Sequence, residues 1–484
     1  METRRLIGWA YVGRSGAGIH SPSFWVLVVA QVIFLVGGIG PNWILALLSV
    51  AVLAAGTILL WRPGESPILV FIFSYSWLQS SIAIYHANWL SIDVAEYAPF
   101  FSETRSATVL SLGGILTLAL GMRLGAGPRR VNDVLGPRQI AMSQPVDRWF
   151  RLYALAWVGS FLALSYAWVV PGLSQPLLAL AAMKWAFFYM LAFAYFLRGL
   201  RAGWLLPCAF LFELVTSIGG YFSDFKAVFF VTLSAAVASG VKFSPGKLIS
   251  STLLAVLLVI LGIVWTAVKG DFRDFVSGGG GEQVMTVDYA TRLSKLADLV
   301  GDLDRDSLAN GADQFLRRIS YVELFGVVLA NVPSIEPHTE GAILWDAVVR
   351  PFTPRLLFPD KDVIDDSART LRYTGGLVGA AESTSVSLGY VAETFIDFGE
   401  YGLFAALLGI GCFYGAIYRI LVRWKSSRGL LGTSLATAAL LNTAALENSF
   451  TKVFGGVVVS LLAAWAIAAF AMPRIAPWLI PERR

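Results

Sequence analysis

The sequence predicts an all-α integral membrane protein of about 12 transmembrane helices with one large loop outside the bilayer. Of its 484 residues, 56% are hydrophobic and only 14% are charged, whereas soluble globular chains are about 45–50% apolar and about 25% charged. The chain has too few polar side chains to coat an aqueous surface, which excludes a soluble domain. Its mean hydropathy of +0.67 agrees with lipid as the solvent.

The second observation is a series of twelve apolar runs, each close to the length of about 20 residues that crosses a bilayer as a helix. The runs lie near residues 24–40, 43–61, 67–85, 107–124, 152–170, 177–197, 203–219, 227–241, 248–268, 401–421, 430–446 and 453–472. The first run is longer than the core of a signal peptide and has no convincing cleavage site after it, so we expect a retained span.

The third observation is the alternation of charge between the loops. Lys and Arg are retained on the cytoplasmic side of a membrane, and they occur in every second short loop, as at Arg62, Arg129 and Arg198. Twelve spans with both termini in the cytoplasm satisfy this alternation.

The net charge of +5 follows from this topology. The chain has 37 Lys and Arg and 32 Asp and Glu, but residues 269–400 hold 12 basic and 21 acidic side chains. The basic excess therefore belongs to the cytoplasmic loops and predicts no nucleic-acid partner. Cys208 and Cys412 lie in apolar runs and the three histidines are scattered, so we expect no disulfide, no metal site and no cofactor.

The topology divides the chain into three regions. Residues 1–268 contain spans one to nine, residues 269–392 form a loop outside the cytoplasm, and residues 393–484 contain spans ten to twelve. Within the loop, residues 285–300 predict a surface helix, and the apolar residues 313–331 predict a segment that lies in the membrane interface or re-enters the membrane. The loop is the region in which we expect the function to reside.

Three cations of the loop, Arg350, Arg355 and Lys361, lie in a stretch that is stiffened by prolines. Arginine forks match phosphate oxygens in a bidentate manner, and a lysine adds a compact charge. The stretch therefore predicts binding of a phosphate or pyrophosphate. The alternative is that these cations pair with nearby aspartates such as Asp346, or that they bind anionic lipid headgroups.

Further candidates lie near apolar segments on the same side of the membrane. Lys226, Arg317 and Arg318 either reach a ligand phosphate or serve as solvated or snorkelling cations. Glu393 and Asp397 are four residues apart and share one face if they lie on a helix. Such a pair opposite a cation cluster could supply a general base. Glu382 is a third candidate base, and for Glu400 the alternative is a cap that complements the helix dipole.

Three motifs resemble the Wzy-type polymerases of O-antigen and exopolysaccharide repeat units. They are Arg318 leading an apolar helix that ends in Val-Pro, the string Pro354–Lys361, and residues 385–402 with Glu393 and Asp397-Phe-Gly. The string Phe222–Lys226 also resembles a basic motif of an outer loop in such proteins. That motif often has an arginine where Lys226 stands, and a lysine cannot make the bidentate fork.

The resemblance implies a GT-C-like fold and a metal-independent glycosyltransferase on the periplasmic face of a bacterial inner membrane. The donor would be a growing glycan on undecaprenyl pyrophosphate, and the acceptor would be a sugar hydroxyl on a lipid-linked oligosaccharide repeat. Membrane lipids, a chain-length regulator and a flippase are the further partners that it implies.

The resemblance also implies the roles of the candidate residues. Cations would stabilise the departing pyrophosphate, and one carboxylate would take the proton of the acceptor. The implied catalytic residues are Arg318, Arg355, Glu382, Glu393 and Asp397, and the implied pyrophosphate-binding residues are Lys226, Arg317, Arg350 and Lys361.

Two other functions remain open at the level of the sequence. An O-antigen ligase-like transferase has a similar topology but moves a finished glycan to another acceptor. A secondary transporter or flippase should show charges in mid-helix and related halves. Few charges lie inside the apolar runs, Glu213 and Arg123 among them, and no matching halves are visible. ATP-driven transport has no support, because the chain has no phosphate-binding loop of the Walker kind.

Overall fold

The computed structural model describes residues 22–98, 103–130, 132–167, 169–170, 172–199, 203–217, 225–241, 245–278, 287–353, 357–358, 361, 365–378, 386–424 and 429–479. Across these ranges the protein is helical and contains no strand. The first ten helices are α1 (Pro22–Gly37), α2 (Trp43–Leu60), α3 (Ile68–Trp89), α4 (Thr104–Ala126), α5 (Asn132–Ser143), α6 (Val146–Ala167), α7 (Ser174–Ala182), α8 (Lys184–Arg198), α9 (Leu205–Ser217) and α10 (Lys226–Ser239). The next ten are α11 (Pro245–Ser277), α12 (Tyr289–Gly301), α13 (Arg305–Ile319), α14 (Val322–Asn331), α15 (Ala342–Val349), α16 (Asp366–Tyr373), α17 (Tyr390–Arg423), α18 (Leu430–Leu440), α19 (Phe450–Ala466) and α20 (Met472–Leu479).

Within the described ranges, eight helical segments are long and apolar enough to cross a membrane, as expected of a helical membrane protein. They are Trp43–Leu60, Ile68–Trp89, Thr104–Ala126, Val146–Ala167, Ser174–Arg198, Ile249–Ser277, Tyr390–Arg423 and Phe450–Ile475. The other four predicted runs form the shorter helices α1, α9, α10 and α18, of 16, 13, 14 and 11 residues. Since a span needs about 20 residues, the total of twelve spans stays a prediction.

Helices α12 and α13 of the predicted loop begin at aspartates. Asp288 accepts hydrogen bonds from the backbone N–H groups of Ala290 and Thr291 at the start of α12, and Asp304 accepts one from Ser307 at the start of α13. Such caps satisfy N–H groups that have no partner inside the helix. The surface helix expected at residues 285–300 is therefore confirmed as α12, with bounds set by its cap.

The closest pair of helices, α4 and α17, packs through glycines. A β-carbon on Gly121 would lie 2.2 Å from the carbonyl oxygen of Leu408, and one on Gly411 would lie 2.2 Å from that of Leu118. Small residues let helix backbones approach closely in membranes. The two helices run in the same direction, because Gly113 lies near Phe404 whereas Gly121 lies near Gly411.

This packing predicts that alanine substitutions at two glycines of α17 affect the stability of the protein differently. Gly411→Ala is expected to lower the unfolding free energy by about 1–3 kcal/mol, because the added methyl group meets backbone atoms that must move. Gly409→Ala is the matched control, because a β-carbon there meets nothing within 4 Å. Thermal unfolding of the two purified variants in detergent checks this, and equal melting temperatures would contradict it.

Helix α17 consists of two parts. Gly399 has φ 69° and ψ −169°, a left-handed backbone conformation that favours glycine. This residue separates the short helix Tyr390–Phe398 from the long part that packs along α4. The helix therefore begins three residues before the boundary expected at residue 393.

The predicted apolar segment 313–331 is two helices, α13 and α14, with a turn between them. The side chain of Asp313 lies beside His86, near the end of α3, with 3.6 Å between Oδ1 and Nε2. At the turn, the backbone N–H of Tyr321 donates to the carbonyl oxygen of Gln79 at 2.9 Å, and Gln79 lies halfway along α3. The segment thus extends alongside the bundle to the middle of a candidate span.

Candidate functional site

Three turns of the chain meet beside Gln79, and we call this the turn junction: Gln79, Tyr321, Gly389 and Leu446. The side-chain oxygen of Gln79 accepts a hydrogen bond from the backbone N–H of Leu446 at 2.9 Å, and its amide nitrogen donates to Glu447. The polar side chain in the middle of α3 is therefore held by backbone groups and a carboxylate.

The hydroxyl of Tyr321 binds the second turn of the junction. It donates to the carbonyl oxygen of Leu388 at 3.0 Å and accepts from the backbone N–H of Ala392 at 2.8 Å. A β-carbon on Gly389 would lie 2.2 Å from the carbonyl oxygen of Leu446 and 2.6 Å from the Tyr321 ring. Tyr321 is buried, so the junction is closely packed and holds the start of α17.

Glu393 lies one turn into α17 and is fully buried. Its Oε1 accepts a hydrogen bond from Nη1 of Arg369 at 3.0 Å, and its Oε2 accepts one from the backbone N–H of Phe450 at 2.6 Å. The side chain of Arg369 keeps 23% of its surface exposed. A buried carboxylate requires this kind of pairing, because desolvation of an unpaired charge is costly.

A second ion pair lies beside the first. Nζ of Lys452 is 2.7 Å from Oδ2 of Asp366, which also accepts a hydrogen bond from the hydroxyl of Ser449 at 3.1 Å. The carboxylate of Asp366 acts electrostatically on Glu393. Two carboxylates and two cations therefore surround the start of α19, and both cations are more exposed than their acidic partners.

Asp397 shares a helix face with Glu393, as the spacing of four predicts, but its surroundings differ. It accepts hydrogen bonds from the hydroxyl of Thr339 and from the backbone N–H groups of Ile343 at 3.1 Å and Leu344 at 2.8 Å. The carboxylate therefore caps α15. Three donors hold the carboxylate in place, which suits a structural role better than proton abstraction.

The side chains of the neighbouring cations Arg317 and Arg318 lie in different surroundings. Arg317 pairs with Asp313 at 3.0 Å and with Glu323 at 3.5 Å, and its guanidinium lies 4.7 Å from the ring centre of Tyr97. It joins α13 and α14 to the connection between α3 and α4. Successive residues of a helix are about 100° apart, so Arg318 does not share these partners.

Arg318 is exposed and belongs to what we call the cation triad, Lys269, Arg273 and Arg318. The charges of Arg273 and Arg318 act on Lys269, and Arg318 also acts on the Tyr75 hydroxyl. Among the residues that the structure describes, neither Lys269 nor Arg318 forms an ion pair with a carboxylate. Like charges held close together favour the binding of an anion.

The remaining candidates are distributed as follows. Arg350 lies 3.4 Å from Asp346, its neighbour one turn earlier, and Nζ of Lys361 donates to the carbonyl oxygen of Thr353 at 2.8 Å. Lys226 is the exposed first residue of α10. Arg355 and Glu382 lie outside the described residues. The structure thus brings Arg318 and Glu393 to either side of the turn junction. Arg350 lies beside Asp346, as predicted by the alternative in which the cations of this stretch pair with nearby aspartates.

Phe230 places Lys226 relative to the triad. It lies one helical turn after Lys226, on the same face, and its ring centre is 5.9 Å from that of Tyr75. Tyr75 is the residue on which Arg318 acts. Lys226 is therefore at the edge of the same region.

Sequence reasoning missed Arg369 and Lys269 as site residues. Arg369 lies in α16, where the side chain of Asp365 accepts a hydrogen bond from the backbone N–H of Ala368. An aspartate at this position indicates the start of a helix, but it does not indicate that Arg369 pairs with Glu393, 24 residues later. Lys269 lies near the end of an apolar run and looked like the end of a span.

Buried Glu213, the residue that favoured transport, has partners on two neighbouring helices. It is 2.6 Å from Nζ of Lys184 and accepts a hydrogen bond from the hydroxyl of Tyr153 at 2.7 Å. These bonds join α6, α8 and α9, so the Glu213 side chain helps to pack these three helices together.

The chain belongs to the family described as a domain of unknown function (DUF8712), whose sequence profile matches residues 149–474. No curated protein and no solved structure matches it. The matched region includes α10 to α19 and therefore the cation triad, Glu393 and Arg369.

Burial predicts a pH dependence at the edge of this site. It raises the pKa of Glu323 from its usual 4.5 to about 7, because desolvation outweighs the attraction of Arg317. The folded state then binds more protons than the unfolded state between about pH 4.5 and pH 7, so stability is fully present below this window and falls as the pH rises through it. We expect a loss of about 1–3 kcal/mol.

The Glu323→Gln variant removes the titrating group and should flatten the profile of melting temperature against pH in detergent. Glu96→Gln, at an exposed glutamate on the connection that Arg317 contacts, is the control and should keep the wild-type slope. A Glu323→Gln profile as steep as that of the wild type would refute the assignment.

Proposed function

We propose that this member of the family is a membrane glycosyltransferase that polymerises oligosaccharide repeat units linked to undecaprenyl pyrophosphate. We place it in a bacterial inner membrane, with both termini in the cytoplasm and the site on the periplasmic face. The observation that carries the proposal is the cation triad beside the turn junction, with the buried Glu393–Arg369 pair on its other side.

The triad suits a leaving group that gains negative charge. In the proposed step, the acceptor hydroxyl attacks the anomeric carbon of the donor, and the bond between that carbon and the phosphate oxygen breaks. The bonding electrons leave with undecaprenyl pyrophosphate. Arg318 can offer a fork of donors to the phosphate oxygens, and Lys269 adds a compact charge. Cations already in place cost no reorganisation when the charge develops.

Glu393 is the proposed acceptor of the proton from the attacking hydroxyl. Its link to the triad is Tyr321, which lies three residues after Arg318 and binds the backbone next to Glu393. Arg369 orients the carboxylate through a hydrogen bond of 3.0 Å, so we treat Arg369 as a positioning residue. A carboxylate that accepts hydrogen bonds from an arginine and a backbone N–H is a weak base. The step therefore requires the Arg369 side chain to rotate away from Glu393 and toward the solvent.

A glycan-length profile of a deletion strain tests the function as a whole. A strain without the protein should accumulate single lipid-linked repeats and make no long glycan, and the wild-type gene should restore the length. Wild-type chain lengths in the deletion strain would refute the polymerase.

The same cations would also serve an O-antigen ligase-like transferase, because that reaction releases the same leaving group. The two functions differ in what accumulates. Long glycan that stays on its lipid carrier in the deletion strain would select the ligase.

A further inference from the structure

A group of arginines lies at the end of the bundle where α2 ends and α3 begins. We call it the arginine cluster: Arg62, Arg123, Arg129 and Arg419. Arg62 follows α2, Arg123 and Arg129 lie at and after the end of α4, and Arg419 lies near the end of α17. The chain around Gly127 brings them together.

Backbone oxygens accept hydrogen bonds from three of these guanidinium groups, those of Arg62, Arg123 and Arg129. The carbonyl oxygen of Gly127 accepts from Nη2 of Arg62 at 2.5 Å and from Nη1 of Arg123 at 3.0 Å, and the carbonyl oxygen of Pro63 accepts from Arg129. A β-carbon on Gly127 would lie 3.5 Å from Nη1 of Arg419. These carbonyl oxygens orient the guanidinium groups but, being uncharged, do not neutralise them.

One carboxylate faces the cluster. Glu65 is 3.5 Å from Arg62 and 3.5 Å from Arg129, and it is itself buried. Within the described part of the chain, Arg123 and Arg419 form no ion pair. Four positive charges against one negative charge leave a local excess that an anion can neutralise.

The side chains next to the cluster are apolar and exposed. Leu124 follows Arg123 with 58% of its surface exposed, and Ile420 follows Arg419 with 44% exposed. Both lie at the ends of candidate membrane spans. A ligand that fits this surface has an anionic head for the arginines and an acyl chain for the leucine and isoleucine.

We propose that the arginine cluster binds the phosphate group of an anionic phospholipid. The charge chemistry alone would also admit a free phosphate, but the adjacent apolar surface favours the lipid. Basic pockets between transmembrane helices are a known way to bind anionic headgroups. This site is separate from the proposed glycan chemistry, because Gln79 of the turn junction lies about 16 Å along α3 from the end that adjoins the cluster.

Thermal unfolding of the purified full chain in neutral detergent tests the proposal. Titration with phosphatidylglycerol should raise the melting temperature, whereas phosphatidylcholine and inorganic phosphate at the same concentration should not. The Arg419→Gln variant should need about fivefold more phosphatidylglycerol for the same rise. Arg123→Gln tests the same site from the other helix, and Arg419→Lys should fall between the wild type and Arg419→Gln.

The matched control is Arg151→Gln, at an exposed arginine that pairs with Asp147 on α6. It should keep the wild-type titration. An unchanged titration in both cluster variants would overturn the proposal, and so would an equal rise with inorganic phosphate, which would assign the site to a soluble anion.

Discussion

Arg318→Ala is expected to abolish long glycan while single lipid-linked repeats accumulate. The alanine removes the exposed cation of the triad, whose guanidinium can form a bidentate fork, so the departing pyrophosphate loses its main donor. Loss of one such preorganised donor slows a reaction by about 10²–10³-fold. A glycan-length profile of the complemented deletion strain measures it.

Two comparison variants define what the Arg318 result means. Arg318→Lys keeps the charge but not the fork, so chain lengths should be intermediate. Arg105→Ala removes an exposed cation that is already paired with Asp93 at 2.6 Å on the same end of the bundle, and it should leave chain lengths unchanged. Wild-type lengths in Arg318→Ala would remove Arg318 from the mechanism and leave the triad without its proposed role.

Glu393→Gln is expected to be the second variant with a large effect. It removes the proposed proton acceptor, which contributes about 10²–10⁴-fold to a reaction of this type. It also leaves Arg369 without its buried counterion, and breaking one side of a buried pair costs about 3–5 kcal/mol. Chain length and melting temperature must therefore be measured together.

The double variant Glu393→Gln/Arg369→Gln separates the two effects. Removal of both charges should recover most of the melting temperature, because no unpaired buried charge remains. Activity should stay absent, since the proton acceptor is still missing. Recovery of long glycan in the double variant would show that Glu393 has a structural role only.

Asp397→Ala provides a contrast on the same helix face. Loss of a helix cap costs about 1 kcal/mol, so the melting temperature should fall. Glycan length, compared between strains with equal amounts of folded protein, should stay near that of the wild type. A loss of activity as complete as that of Glu393→Gln, without a change in stability, would instead make Asp397 the base.

The helices could be predicted from the sequence because lipid imposes a simple rule on apolar length. Each of the twelve predicted runs contains a helix. The turn junction could not be predicted, because its polar groups are single residues inside apolar runs. Gln79 looked like one polar exception within α3, and its partners come from chain segments more than 240 residues away.

The candidate site was predictable only in part for similar reasons. The spacing of Glu393 and Asp397 predicts that they share a helix face. It does not predict that Glu393 pairs with Arg369 or that Asp397 caps the start of α15. The sequence favoured Arg318 over Arg317 only because Arg318 leads the apolar helix. Their different surroundings depend on the rotation of α13 against α3 and α11, which no local pattern encodes.

The short helix Tyr390–Phe398 has a mechanical consequence. It is bounded by two glycines with positive φ, Gly389 at 80° and Gly399 at 69°, so a larger side chain at either position would be strained. Glu393 and Asp397 both lie on this short helix. Glu393 accepts hydrogen bonds from Arg369 of α16 and from the first residue of α19, and Asp397 accepts them from the start of α15. One helix of nine residues therefore ties three other helices together, and the position of the Glu393 carboxylate depends on all of them.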